Sequence, residues 1–222
     1  MKRNFILFLN GTYKDEDIDF YKSIIGSKTT VAVDGGYAFF DKAGIIPKYI
    51  IGDGDSLDKV PEDIQEETAV FEFPVEKDLT DGHIALDFCM KEDFETIIVV
   101  MPEIGEPDHF LGNILLLFNK EVKQKLREKR DISIITRHHE YRIIDNGKLE
   151  LYDRAGETLS IMPISKSIML NCEGTKYDAK GIKVDLGETR ALRNKIVTNE
   201  ALIKVSGEAI CISSFKDEHL KV

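Results

Sequence analysis

TTVAVDGGYAFFDKAGIIPKYIIGDGDS, residues 29–56, reads as strand, turn, helix, turn, strand. The two strand candidates, TTVAVDGG (29–36) and KYIIGDGD (48–55), carry Val and Ile with little alternation. That texture belongs to strands covered on both faces. Between them, Tyr37–Ala43 has the length of a short helix. A strand, a covering helix and a further strand make a parallel crossover unit.

The same alternation extends outward in both directions. NFILFLNG (4–11), AVFEFPVEKD (69–78), TIIVVMPEIG (96–105) and DISIITR (131–137) are further strand candidates. Asp17–Ile25, Pro61–Glu67, Asp81–Glu92 and Asp108–Lys129 are helix candidates, the last as one long helix. Residues 1–140 are therefore expected to form an α/β domain around a doubly wound, mostly parallel sheet. Past Tyr141 the texture changes. GKLELYDRAGETLSIMPIS, SIMLNCEGTKYDAKGIKVDLGE and IVTNEALIKVSGEAICISSF are short apolar runs split by Gly, Asn and Asp. They predict a small antiparallel β-sandwich domain over 141–222.

Composition narrows the class. The chain has 222 residues, 42% of them hydrophobic, enough to bury a core. No run is apolar enough to span a membrane. MKRNFILFLNGTYKDED at the start reads as a first strand rather than a signal peptide. Cys89, Cys172 and Cys211 are far apart and form no CxxC pair, which suits a reducing cytoplasm. The net charge of −10 argues against nucleic-acid binding. The one dense basic run, KEVKQKLREKR (120–130), has helical spacing and reads as a solvated face. An acidic protein that handles phosphates calls for a metal ion between itself and its ligand.

The chemistry collects at strand ends. Parallel sheets bind ligands beyond their carboxyl edges, and four strand candidates end there in Gly and acidic residues. Asp53 and Asp55 sit at i and i+2 of an extended segment and so share one side. Two carboxylates so placed repel unless a cation lies between them, and Mg²⁺ takes one or two carboxylates plus phosphates and waters. A polar turn is the plainer reading of either residue alone. In EKDLTDGHIAL, Asp78 or Thr80 can cap a helix, Asp81 lies in its first turn, and Lys77 can reach a phosphate or stay in solvent. In GEPDHFLGNI, Asp108 can cap the next helix, and His109 and Asn113 share a face. Gly35 and Gly36, after Asp34, can let backbone approach a nucleotide. GxxxxGK[ST] and GxGxxG are both missing from the positions where a P-loop or a dehydrogenase needs them. His83 and Asp87 read as solvated, His138 and His139 as surface loop, and LGETRALRN (186–194) as a charged hairpin.

VAVDGG, IIGDGDS, EKDLTD and GEPDHFLGNI, in this order and spacing, resemble the thiamine pyrophosphokinases, and GTKYDAKGIKVDLGETRALRN resembles that family's C-terminal segment. The resemblance implies an α/β ATP-binding domain followed by a thiamine-binding β domain, and a homodimer with its site at the subunit interface. It implies transfer of the ATP pyrophosphoryl group to thiamine, giving thiamine diphosphate and AMP. Asp53, Asp55 and Asp81 fall at the Mg²⁺ positions, with Asp78 beside them among the catalytic carboxylates. Asp34, Gly35, Gly36, Lys77, Asp108, His109 and Asn113 fall on the ATP side, and Thr189, Arg190 and Asn194 on the thiamine side. The sequence departs from the family pattern at Gly54, at Glu106–Pro107 and at Arg193. Three alternatives stay open from the residues alone. They are a pyrophosphokinase for another alcohol such as a pterin, a Mg-dependent phosphohydrolase, and a catalytically silent sensor.

Overall fold

The structure, a computed structural model, describes residues 2–53, 61–74, 78–103 and 105–215. It divides into two compact units, Met1–Arg137 and His138–Val222.

The first unit holds strands β1 (Arg3–Phe8), β2 (Thr29–Val33), β3 (Tyr49–Gly52), β4 (Ala69–Glu72), β5 (Phe94–Val100) and β6 (Asp131–Ile135). They pair in the order β6-β5-β1-β2-β3-β4, and every pairing is parallel. The chain winds from β1 outward to β4, then returns to place β5 on the other side of β1. The β1/β5 boundary is thus the topological switch point. Helices α1 (Ile18–Ile25), α2 (Tyr37–Ala43), α3 (Glu62–Glu67), α4 (Asp81–Lys91), α5 (Pro107–Leu116) and α6 (Lys120–Arg127) make the crossovers. Four consecutive β1 residues, Phe5 to Phe8, are fully buried, so both faces of the central strand are covered.

Aromatic packing fixes the helices near the switch point. Phe8 and Phe39 of α2 stack at 4.0 Å, and Tyr13 meets Tyr21 of α1 edge-on at 5.3 Å. The buried Tyr13 hydroxyl donates to the carbonyls of Leu9 (2.7 Å) and Val100 (3.2 Å), tying the exit of β1 to that of β5. Burial pushes its pKa well above the usual phenol value, so it stays a donor.

The long helix expected over 108–129 is two helices. Successive N–H groups of Leu117, Phe118 and Asn119 bond three residues back, to Ile114, Leu115 and Leu116. This tighter turn seats Leu117 in the core. Asn119 then caps α6, its side chain accepting from the Glu121 N–H at 2.9 Å. The apolar pattern runs through this break, so periodicity alone did not reveal it. The Asn ahead of an acidic first turn was the available signal.

The second unit contains β7 (His139–Tyr152), β8 (Thr158–Pro163), β9 (Ser167–Glu173), β10 (Ala179–Asp185), β11 (Asn194–Lys195) and β12 (Glu200–Ser214). All their pairings are antiparallel. β12 runs beside β7 along one edge for its whole length. Along its other edge it pairs first with β9, through Leu202–Ser206, and then with β8, through Ala209–Ser213. Gly207 lies between those two stretches with φ +108°, and a Cβ there would come within 2.9 Å of the Ser167 carbonyl. β8 and β9 contribute Leu159, Ile161, Leu170 and Cys172 to one core with Ile203, Val205 and Cys211 of β12. The two longest strands, β7 and β12, thus run through both halves of this antiparallel unit. His139, expected in a surface loop, opens β7.

Buried ion pairs hold the β7 end of this unit. Glu140 accepts from Arg142 Nε at 2.8 Å and from Arg154 Nη1, and Arg154 Nε also meets Glu157 at 2.7 Å. Burial pushes the Glu140 carboxyl up, but the charges and hydrogen bonds of the two arginines outweigh it and hold the pKa below 4.5.

Candidate functional site

Five of the six parallel strands deliver a polar segment to one edge of the sheet, and the packing of those segments decides what faces a ligand. Gly11 follows β1 with φ +147°, and a Cβ on it would lie 2.3 Å from Pro102 after β5. The exits of β1 and β5 can therefore meet only through a glycine. After β2, Asp34 takes φ 51° and starts a tight turn into α2. A Cβ on Gly36 would fall 2.0 Å from the Phe8 carbonyl, and one on Gly35 2.2 Å from Asn10 Oδ1. Gly36 packs against the end of β1, and Gly35 against Asn10 just beyond it. Their close approach is internal.

α4 begins after β4. Thr80 is its N-cap, accepting from the His83 N–H at 3.3 Å, which leaves Asp78 outside the cap. Asp81 is the first residue of the helix. A Cβ on the next residue, Gly82, would touch both Leu9 and Asn113 at 3.4 Å, so α4 starts close against the β1 exit and α5. In α5 the cap position is Glu106, with Pro107 inside the first turn. Asp108, expected as the cap, lies two residues past it and accepts from the His109 N–H at 2.8 Å. Pro107 explains the shift, since proline fits the first helical position and displaces the cap to the residue before it.

Two clefts flank α5. One, about 400 Å³, lies at the switch point between Asn10, Gly11 and Thr12 of the β1 exit and Pro102, Gly105 and Glu106 of the β5 exit. The other, about 370 Å³, lies between Asp78, Thr80 and His83 on one side and Asp108 and Gly112 on the other. His109 and Asn113 line both. The structure therefore brings Asp78, Asp108, His109 and Asn113 together, around two helix N-termini that favour anions. Asp53 follows β3, two strands from the switch point, and is half-buried. Asp55 and Lys77 lie outside the described residues.

Sequence reasoning missed two contributions. Asn10, Gly11 and Thr12 line the larger cleft, and the Asn-Gly pair ending an apolar run at the first strand was their signal. His83, expected in solvent, lines the smaller cleft with its side chain 20% exposed. Asp87 lies one turn behind it, its Oδ2 3.8 Å from His83 Nε2. Burial raises the Asp87 carboxyl above its usual range, with the His83 charge pulling the other way.

In the second unit, residues 186–193 link β10 to β11. Those strands pair with β9 and β8 respectively, so the segment crosses between partners and is not the expected hairpin. Arg190 and Asn194 line a cavity of about 180 Å³ floored by Leu159, Ile161, Leu170 and Cys172, with Tyr177 at its rim. Thr189 is not among its lining residues. Asn194 uses its whole amide inside the chain. Its Nδ2 donates to Thr175 Oγ1 (3.0 Å) and the Tyr177 carbonyl (2.8 Å), and its Oδ1 accepts from the N–H groups of Tyr177 (3.1 Å) and Lys195 (2.8 Å). The one thiol lining the cavity, Cys172, is held in its thiol form by its surroundings. Burial raises Cys172, and it pushes the neighbouring Cys211 up to about 12.

A parallel sheet with a polar cleft at its switch point defines an α/β protein whose ligand site lies at the carboxyl edge of the strands. The comparisons define it more closely. Residues 20–128 match the family described as thiamin pyrophosphokinase, catalytic domain. The thiamine pyrophosphokinase of Bacillus subtilis (strain 168) is 30% identical over 171 residues, 75% of this chain and 78% of that protein. The chain belongs to the thiamine pyrophosphokinase family. The fold agrees. The crystal structure of a B. subtilis thiamine pyrophosphokinase superposes with a TM-score of 0.78 at 24% identity, covering 96% of this chain and all of that one. The Geobacillus thermodenitrificans structure gives 0.76 at 25%, covering 96% and 98%, and the Candida albicans structure 0.75 at 16%, covering 97% and 90%.

Proposed function

We propose that this chain transfers the pyrophosphoryl group of ATP to the hydroxyl of thiamine, releasing AMP. The observation that carries the reading is the pair of clefts around α5, where His109 and Asn113 stand between the switch point and the acidic start of α4. Transfer of this kind needs positioning and charge neutralisation more than covalent help. Asp108, His109 and Asn113 would hold the nucleotide from α5. Asp34, Gly35, Gly36 and Lys77 complete the nucleotide side by resemblance. Asp78 or Asp81 would take the proton of the attacking hydroxyl, which displaces AMP from the β-phosphorus in line.

Among the described residues no three His, Cys, Asp or Glu side chains are grouped to hold a metal by themselves. Asp55 lies outside those residues, and Mg²⁺ draws the rest of its shell from substrate phosphates and waters. Asp53, Asp55 and Asp81 would hold it, and it would offset the polyphosphate charge. Thr189, Arg190 and Asn194 mark the thiamine side. The four internal bonds of Asn194 favour a role in shaping that side over direct contact. The carboxylates also suit an acceptor with a cationic ring. The resemblance further supports a homodimer with its site at the subunit interface. The thiol content supports a cytoplasmic setting.

The test is incubation of pure protein with Mg-ATP, with and without thiamine. Thiamine-dependent AMP with an equal yield of thiamine diphosphate is the expected result. Inorganic phosphate released without thiamine would overturn it in favour of a phosphohydrolase, and AMP formed only with a pterin in favour of another acceptor.

A further inference from the structure

His83 belongs to none of the motifs that mark the family, yet it faces the same cleft as Asp78, Asp108 and His109. Its ring is held by Asn119, at the break between α5 and α6. His83 Nε2 lies 3.2 Å from Asn119 Nδ2. The orientation of that amide is set by its capping role, because Oδ1 accepts the Glu121 N–H and so the NH₂ group must face the imidazole. An NH₂ group only donates. Facing that donor, Nε2 is the accepting nitrogen, which leaves Nδ1 to carry the ring proton. The Asp87 carboxylate, which would draw the proton to Nε2, stands off at 3.8 Å, outside hydrogen-bond range. Among the described residues, Nδ1–H has no hydrogen-bond partner. His83 lines the cleft, so α4 brings a ring N–H to a wall whose carboxylates offer no donor.

We propose that His83 donates its Nδ1–H to a phosphoryl oxygen of the bound nucleotide, and that Asn119 is the positioning residue that fixes this tautomer. The inference rests on the nucleotide reading of the cleft. It gives the helix break a purpose, since a continuous helix over 108–129 would have no capping amide to turn toward His83.

Two measurements on the full chain test it. The first is a long-range ¹H–¹⁵N correlation spectrum at about pH 8, where an ordinary imidazole is neutral. His83, identified by its loss in H83Q, should show a protonated Nδ1 and a bare Nε2. Asn119→Ser keeps a capping hydroxyl but withdraws the amide, and should move the proton to Nε2. A wild-type ring protonated on Nε2 would overturn the proposal. The second is titration with Mg-ATP. His83→Gln places its amide near the Nε2 position and should weaken binding about tenfold, the scale of one hydrogen bond to a charged group. His83→Asn places its amide near Nδ1 and should recover most of that loss. Equal affinity of H83Q and wild type, or an H83N no better than H83Q, would refute the donor role while leaving the nucleotide reading intact. Failure of the wild type to bind Mg-ATP would overturn both.

Discussion

Glu140 offers the most direct test of what holds the β unit together. Glu140→Gln keeps the shape of the side chain and an acceptor for Arg142, but removes the charge facing two partly buried guanidiniums. Arg154 retains Glu157 at 2.7 Å and its place over the Phe215 ring, so it is not fully stranded. Breaking a buried pair by removing one partner costs about 3–5 kcal/mol, and the surviving contacts put this case at the lower end, about 3 kcal/mol at pH 7. The pH dependence follows from the direction of the shift. The folded carboxyl titrates below its ordinary value of 4.5, so its contribution is present above that value and is lost as pH falls through the folded pKa. Gln does not titrate. The gap between wild type and variant should therefore be full from about pH 7 to pH 5 and shrink below about pH 4. Urea unfolding followed by circular dichroism at several pH values reads it directly. Glu150→Gln is the control, a carboxylate whose Lys148 pair is exposed on the neighbouring part of β7, and its effect should be far smaller than that of Glu140→Gln. A Glu140 gap no larger than the control, or one that stays flat down to about pH 3, would refute the reasoning.

Gly36→Ala should destabilise the first unit by about 1–3 kcal/mol, because its Cβ would meet the Phe8 backbone carbonyl and not a flexible side chain; thermal unfolding checks it. Asn194→Ala removes four internal hydrogen bonds and should cost about 2 kcal/mol. It should also speed alkylation of Cys172, whose Sγ lies 3.5 Å from Thr175 Oγ1, and raise the KM for thiamine more than that for ATP. Asp53→Asn and Asp55→Asn should each lower kcat at least about 10²-fold in the thiamine-dependent AMP assay, and near-normal turnover in both would remove the metal assignment.

The parallel sheet was legible because its strands are unbroken apolar runs, and Phe5–Phe8 show why: both faces of β1 are buried. Where packing and not periodicity set the outcome, the sequence misled. The stretch from Asp108 to Lys129 keeps its apolar pattern through Leu117, yet the chain breaks there to bury that residue. Gly35 and Gly36 announce a close approach without saying to what, and the structure answers with the end of β1 and Asn10 just beyond it. His83 looked solvated on its own helix, because Asn119 and the α5 residues across the cleft come from distant parts of the chain. The β unit was legible as antiparallel from its turns. Its strand partners were not, since nothing local in 186–194 tells that β10 and β11 join different neighbours.

The path of β12 also bears on how the chain is made. Every strand of the second unit except β10 and β11 pairs directly with β12, which follows all of them in sequence. β9 can pair with β10, and β8 with β11, before then, but the ladders that β7, β8 and β9 form with β12 must wait until β12 has left the ribosome, and closing such distant pairings is slow. The first unit needs nothing beyond Arg137 to complete its six-stranded sheet. Synthesis should therefore yield a folded α/β unit trailing an incompletely paired, strand-rich chain. In that interval the exposed edges of β7 and β9 are where a nascent-chain chaperone would find its work.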